Sequence, residues 1–326
     1  MALRFFAMHG FNSPFSLSTT TSHSNTLGQA QASDPSAWWN TQNWDEVHEA
    51  FGTLEQFNTL LCDWVKTNQA GTPEIQTVKE LVLIGGTDKT GREENIRLLF
   101  KPGEVVCVVG PTGSGKSRLL ADIECLAQGD TPSARRILLN GEVPDEHTRF
   151  SVEKKLVAQI SQNMNFVMDV GVADFLTLHA ESRGLTNTGA LANEVLERAI
   201  ALAGEAFSAT TPLTQLSGGQ SRALMIADAA FLSPKPIVLI DEIENAGVDR
   251  QQALSLFVER GKLVFLSTHD PLLALSGDRR IVIRQGGIHA VLETSPAEQK
   301  RLKTLVKTDR EISHLRDCIR RGDRLD

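Results

Sequence analysis

At 326 residues the chain exceeds one average domain, and its 41% hydrophobic and 22% charged residues are those of an ordinary soluble protein with a large core, which excludes a disordered or low-complexity chain. A net charge of −7 gives no support to nonspecific nucleic-acid binding, leaving only a localised basic face as a route to it. No apolar stretch approaches the ~18–20 residues of a spanning helix, so the chain is expected not to cross a membrane itself.

Residues 1–36 are rich in Ser, Thr, Asn and Gln and are expected to form a flexible tail; with Arg4 as the lone cation, a transit peptide is disfavoured. Residues 37–75 hold all four tryptophans, Trp38, Trp39, Trp44 and Trp64. From there Val47, Phe51, Leu54, Phe57, Leu61 and Val65 recur every three or four residues, which predicts an amphipathic helix. Its stripe is expected to dock on the core of the main domain, with a partner-binding role as the alternative, since Trp is favoured at hot spots. Gly71 and Pro73 mark the linker into that domain, which is expected over 76–293.

Short strands with glycine turns are predicted at 82–84, 96–100 and 137–139. A further strand at 104–109 runs into Gly110, Pro111, Thr112, Gly113, Ser114, Gly115, Lys116 and Ser117, followed by a leucine-bearing helix. Gly-x-x-x-x-Gly-Lys-Ser between strand and helix is a phosphate-binding loop. Its glycines let successive amides turn inward around phosphate oxygens, and the helix adds its positive end. Lys116 supplies a point charge to the β- and γ-phosphates, and the Ser117 hydroxyl is a candidate Mg²⁺ ligand.

Residues 163–215 are predicted mostly helical, with helices at 172–180 and 191–203, and end in Leu216, Ser217, Gly218, Gly219 and Gln220. The apolar run 236–240 is expected to be a strand buried on both faces, with Asp241 at its carboxyl end beside the loop. Asp241 is then a candidate second-shell Mg²⁺ partner and Glu242 a candidate base for water attack. Another strand leads to Ser267, Thr268 and His269. Segments 281–284 and 288–292 form a predicted hairpin around Gly286 and Gly287. Residues 294–326 turn helical, and nine Lys or Arg face six acids from Pro296 on, so a solvated amphipathic helix packed on its own domain or a twin is expected. Cys62, Cys107, Cys125 and Cys318 are far apart without metal-ligand pairing, which points to reduced thiols, Cys107 being a small core residue.

The order of phosphate loop, glutamine after a strand, LSGGQ, strand-Asp-Glu and strand-Ser-Thr-His resembles an ATP-binding cassette (ABC) ATPase domain, over about residues 78–292. The resemblance implies an α/β fold: a P-loop NTPase core with a parallel sheet, an antiparallel β-subdomain and a helical signature subdomain at about 163–220. It implies ATP and Mg²⁺ as ligands, with Ser117, Gln162 and Asp241 around the metal. Gln162 would contact Mg²⁺ and the attacking water. Ser217 and Gly219, within the signature with Gly218 and Gln220, would touch the γ-phosphate held by an opposite cassette. Asp249 would span the dimer, and His269 would hold the γ-phosphate with Glu242.

Three departures stand out. The chain has no tyrosine, and residues 81–92 contain no aromatic, so the family's adenine-stacking group is missing and Val82, Ile84 or an aromatic from elsewhere would replace it. Arg118 stands where threonine is usual, and the 241–249 stretch is one residue longer than the common pattern. A chain with one loop and one signature implies a head-to-tail homodimer. A stand-alone cytoplasmic ATPase that remodels or reactivates a soluble partner is expected. The alternative is the ATP-binding subunit of a membrane transporter with a separate permease, peripheral at the inner membrane face.

Overall fold

The computed structural model describes residues 77–151, 155–161, 166, 168–241 and 248–324, besides positions 53, 55, 56 and 59. The chain divides into two units, Met1–Glu74 and Ile75–Asp326. The expected tail and tryptophan-bearing helix lie almost wholly outside the described residues, as do Gln162 and Glu242.

The second unit is built on two sheets. Strands β1 (Leu81–Ile84), β2 (Arg97–Phe100) and β4 (Arg136–Leu139) pair antiparallel in the order β2-β1-β4. The larger sheet contains β3 (Val105–Val109), β5 (Val157–Ile160), β6 (Ile237–Asp241), β7 (Leu263–Ser267), β8 (Arg279–Arg284) and β9 (Gly287–Glu293), in the order β5-β6-β7-β3-β8-β9. It is parallel from β5 to β8, and only β9 runs back, as the predicted hairpin.

The sequences of β3, β6 and β7 are continuous apolar runs because both faces of this sheet are covered. On β3, Val106 and Val108 enter one core with Leu119, Leu120 and Ile123 of helix α1 (Lys116–Glu124). Val105 and Cys107 enter another, with side chains from α5 (Gly218–Phe231), α6 (Arg250–Glu259) and α7 (Pro271–Ser276). Period-two alternation thus sends neighbours to opposite layers. Each large side chain so buried contributes about 1.5–3 kcal/mol. Burial pushes the Cys107 thiol up to about 12, and its sulfur donates to the Leu273 carbonyl, so it is an inert core residue as expected.

Between β4 and β5 lies the short α2 (Glu146–Phe150). Helices α3 (Val172–Ser182) and α4 (Thr188–Ala203) enclose a third core with one face of α5, around Leu176, Val195 and Leu224. Helix α5 belongs to both layers: Ala223 and Ile226 face the sheet core, Leu224 and Ala227 the helical one. Helix α8 (Pro296–Arg321) starts with a Ser295–Glu298 capping box and an ion pair from Glu298 to Arg280. Ile312, Leu315 and Ile319 on its last turns are exposed. No helix among the described residues is long and apolar enough to cross a membrane.

Candidate functional site

The phosphate loop leaves the carboxyl end of β3 and enters α1, as the motif requires. Gly113 (φ 74°) and Gly115 (φ 110°) take backbone conformations that side chains resist. A Cβ on Gly115 would also come within 2.9 Å of Gly286 Cα. Lys116 is buried, and its ammonium donates to the Gly110 carbonyl (3.0 Å) and the Pro111 carbonyl (3.3 Å). It lies 3.1 Å from His269 Nε2, and since an ammonium has only protons to offer, Nε2 is the acceptor. Ser117 and Arg118 are exposed on the first turn of α1.

Strand β7 lies between β3 and β6, so its end is central. Ser267 is paired in register with Val108 on one side and Asp241 on the other. His269 therefore stands between the phosphate loop and the acidic end of β6. Glu242 follows Asp241 directly in sequence.

Among the described residues, three buried side-chain atoms lack a hydrogen-bond partner, and two of them, Ser114 Oγ and Ser267 Oγ, lie at this edge. Buried hydroxyls of this kind are costly unless a bound group or water meets them. With buried Lys116, the glycine-rich loop at the start of α1, exposed Ser117 and Asp241 at the end of β6 in register with Ser267, the donor set fits a polyphosphate and a hard divalent cation.

Ser217 is the N-cap of α5. Its hydroxyl accepts from Gln220 N (3.2 Å), while Gln220 Oε1 accepts from Ser217 N (3.0 Å). Gln220 thus fixes the helix start, and Gly218 and Gly219 form its first turn with amides at a positive dipole end. Asp249 caps α6 by accepting from Gln251 N and Gln252 N, both at 3.0 Å. The next residue, Arg250, pairs with Asp270, which follows His269, and lies 3.8 Å from Asp309 of α8.

Behind the loop sits a buried charge network. Arg135, fully buried, donates Nε to Glu94 Oε2 (2.9 Å), Nη2 to Glu94 Oε1 (2.6 Å) and to the Gly286 carbonyl (2.8 Å), and Nη1 to Asp122 Oδ2 (3.0 Å). Glu94 also accepts from Gly86 N and Ile288 N. Burial pushes its carboxyl up, but Arg135 and these amides outweigh that and hold it below the usual range. Asp122 belongs to α1, so the network ties the phosphate-loop helix to the β1–β2 loop, the residue before β4 and the β8–β9 turn.

A family model described as ABC transporter matches residues 94–245. An uncharacterized ABC transporter ATP-binding protein of Methanocaldococcus jannaschii is 51% identical over 249 residues, covering 76% of this chain and 95% of that protein. The chain belongs to the ATP-binding cassette family. Its activity is ATP hydrolysis. The macrolide export ATP-binding/permease protein MacB of Psychrobacter cryohalolentis is 31% identical over 60% of the cassette chain, a match that spans 30% of that larger protein. The structure of cbiO1 from Clostridium perfringens, part of the ABC transporter complex cbiONQ, has a TM-score of 0.52 at 22% identity, over 72% of this chain and 98% of that one, a likeness of fold.

Two features of the cassette were missed in its sequence. Ser217-x-x-Gln220 is a capping-box pattern, legible at once but absorbed into the signature. Lys89, in the β1–β2 loop, donates to the Gly113 carbonyl at 3.2 Å, and nothing in its local sequence announces this. Val82, considered as a substitute for an adenine-stacking aromatic, is buried inside β1.

Proposed function

We propose that the chain is the ATP-binding subunit of a membrane ABC transporter whose permease is a separate chain, working as a head-to-tail homodimer on the inner membrane face. The observation that carries this is the 51% identity, across 76% of the chain, to an ABC transporter ATP-binding protein. The match to MacB, an ATP-binding/permease protein, points the same way. Both favour transport over the stand-alone remodelling ATPase preferred from sequence alone.

In the proposed mechanism, ATP lies on the loop of one copy, held by Lys116 and the amides of residues 110–117, and is closed over by Ser217 and Gly219 of a second copy. The first turn of α5 suits this role because its amides and dipole favour negative charge. Ser117 and Gln162, with Asp241 behind them, would hold Mg²⁺, whose charge would offset that developing on the phosphates. Glu242 takes the proton of the attacking water, and His269, beside Lys116, orients the γ-phosphate end. Asp249 and Arg250 link the edge of the closed dimer to the segment after His269. Hydrolysis removes the ligand that joins the two copies, and the α3–α4 layer passes the opening to the permease.

The test is affinity capture of the full-length Glu242→Gln chain in ATP and Mg²⁺ from detergent-solubilised membranes and from the soluble fraction, read by mass spectrometry. A multi-span membrane protein retained with ATP and released without it is the expected result. A soluble enzyme recovered with no permease would overturn the transporter reading in favour of remodelling.

A further inference from the structure

We infer that Lys89 is a second lysine of the nucleotide site, binding the polyphosphate of ATP from the β1–β2 loop. This rests on the phosphate-loop reading above. Its observation is the bond from Lys89 Nζ to the Gly113 carbonyl, 3.2 Å, across a sequence separation of 24 residues.

The loop that carries Lys89 is held in place. Lys89 N donates to the Gln285 carbonyl (2.8 Å), and Gly286 N of the same turn donates to the Ser114 carbonyl (2.7 Å). The β8–β9 turn is thus clamped between the two loops, with Gly286 so close to Lys89 that a Cβ there would lie 2.9 Å from Lys89 Cγ. Asp88 tightens the loop by accepting from Thr90 N (2.7 Å) and Arg92 N (3.0 Å). Glu94, at its end, is fixed by Arg135 and the Gly86 and Ile288 amides. The ammonium is therefore presented at the rim of the phosphate loop by a braced segment.

A lysine ammonium has three protons, and one neutral carbonyl uses one of them. Lys89 is exposed, so its remaining donors face outward beside a loop whose own amides turn toward anions. A phosphate chain in that loop is the strongest acceptor within reach, and its charge makes the contact a charge-assisted one. The β1–β2 loop has no aromatic at 81–92, so a cation for the phosphates, rather than a ring for the base, is what it offers. Binding should then depend more on the triphosphate than on the nucleoside.

The experiment is calorimetric titration of the full-length wild type, Lys89→Ala and Lys89→Arg with Mg-ATP and with Mg-tripolyphosphate, which has phosphates and no nucleoside. Lys89→Ala should weaken both ligands by the same factor, about tenfold, as expected for a charged hydrogen bond at a partly wet rim, while Lys89→Arg retains most of the affinity. Nucleotide-free melting temperature should not change, which separates the contact from a structural brace. Unchanged affinities in Lys89→Ala would overturn the proposal, as would loss of ATP affinity with tripolyphosphate unaffected or a wild type that ignores tripolyphosphate. A wild type that binds no ATP would instead sink the nucleotide-site reading on which the proposal rests.

Discussion

Glu242→Gln lowers ATP turnover at least about 100-fold while leaving ATP binding within twofold of wild type, the loss typical of a removed general base. The physical reason is narrow. A carboxamide matches the carboxylate in size and can still hydrogen-bond the water, but it cannot take its proton. Asp241, the preceding residue, ends β6 in register with Ser267, so the chain leaves the sheet beside the segment that carries His269. With hydrolysis blocked, ATP stays bound and the closed dimer accumulates. Phosphate release and size-exclusion chromatography with and without Mg-ATP read the two effects separately. Wild-type turnover in the variant would remove Glu242 from its assigned role.

Arg135→Met destabilises the cassette unit by about 3–5 kcal/mol, the cost of breaking one side of a buried ion pair. The side chain is fully buried, and its loss leaves the Glu94 and Asp122 carboxylates without their counter-charge. For a unit of this size about 2–4 °C is lost per kcal/mol, so melting should fall on the order of 10 °C. The pH dependence has a definite sign. Because Glu94 is held below its usual range in the folded protein, its contribution is present above the ordinary carboxylate range and fades as pH falls through the lowered value. In the variant burial is opposed only by the Gly86 and Ile288 amides, so that acid-side loss shrinks or reverses. Equal melting of the two proteins across pH 4–8 would show that the network does not hold the loops together.

The phosphate loop, the buried strands and the hairpin were legible because each is local: fixed spacing, continuous apolar runs, and glycines where the chain must turn. The larger sheet's strand order follows from neither pattern nor spacing, since β7, late in the chain, inserts between β3 and β6. Arg135 illustrates what stays hidden. In sequence it is a charged residue beside a short strand, ordinarily solvated, yet its partners are 41 and 13 residues away. Lys89 is similar, its position set by a turn nearly 200 residues later, at Gln285 and Gly286. The expected strand over 96–100 starts instead at Arg97, because the Ile96 amide bonds the Glu94 carbonyl in the loop. The choice of client had no local signal at all, and comparison with relatives shifted the preference from soluble remodelling to transport.

The central claim is that each ATP site is shared between the phosphate loop of one copy and the signature of another. It is tested most directly by mixing two inactive chains, Lys116→Ala and Ser217→Arg, and measuring ATP hydrolysis. In a head-to-tail twofold dimer every mixed pair rebuilds one intact site, from the loop of the second chain and the signature of the first. Random pairing then restores about a quarter of wild-type activity, with each variant alone inactive. If the mixture stays as inactive as its components while mixed dimers form, the site is not shared and the head-to-tail arrangement is wrong.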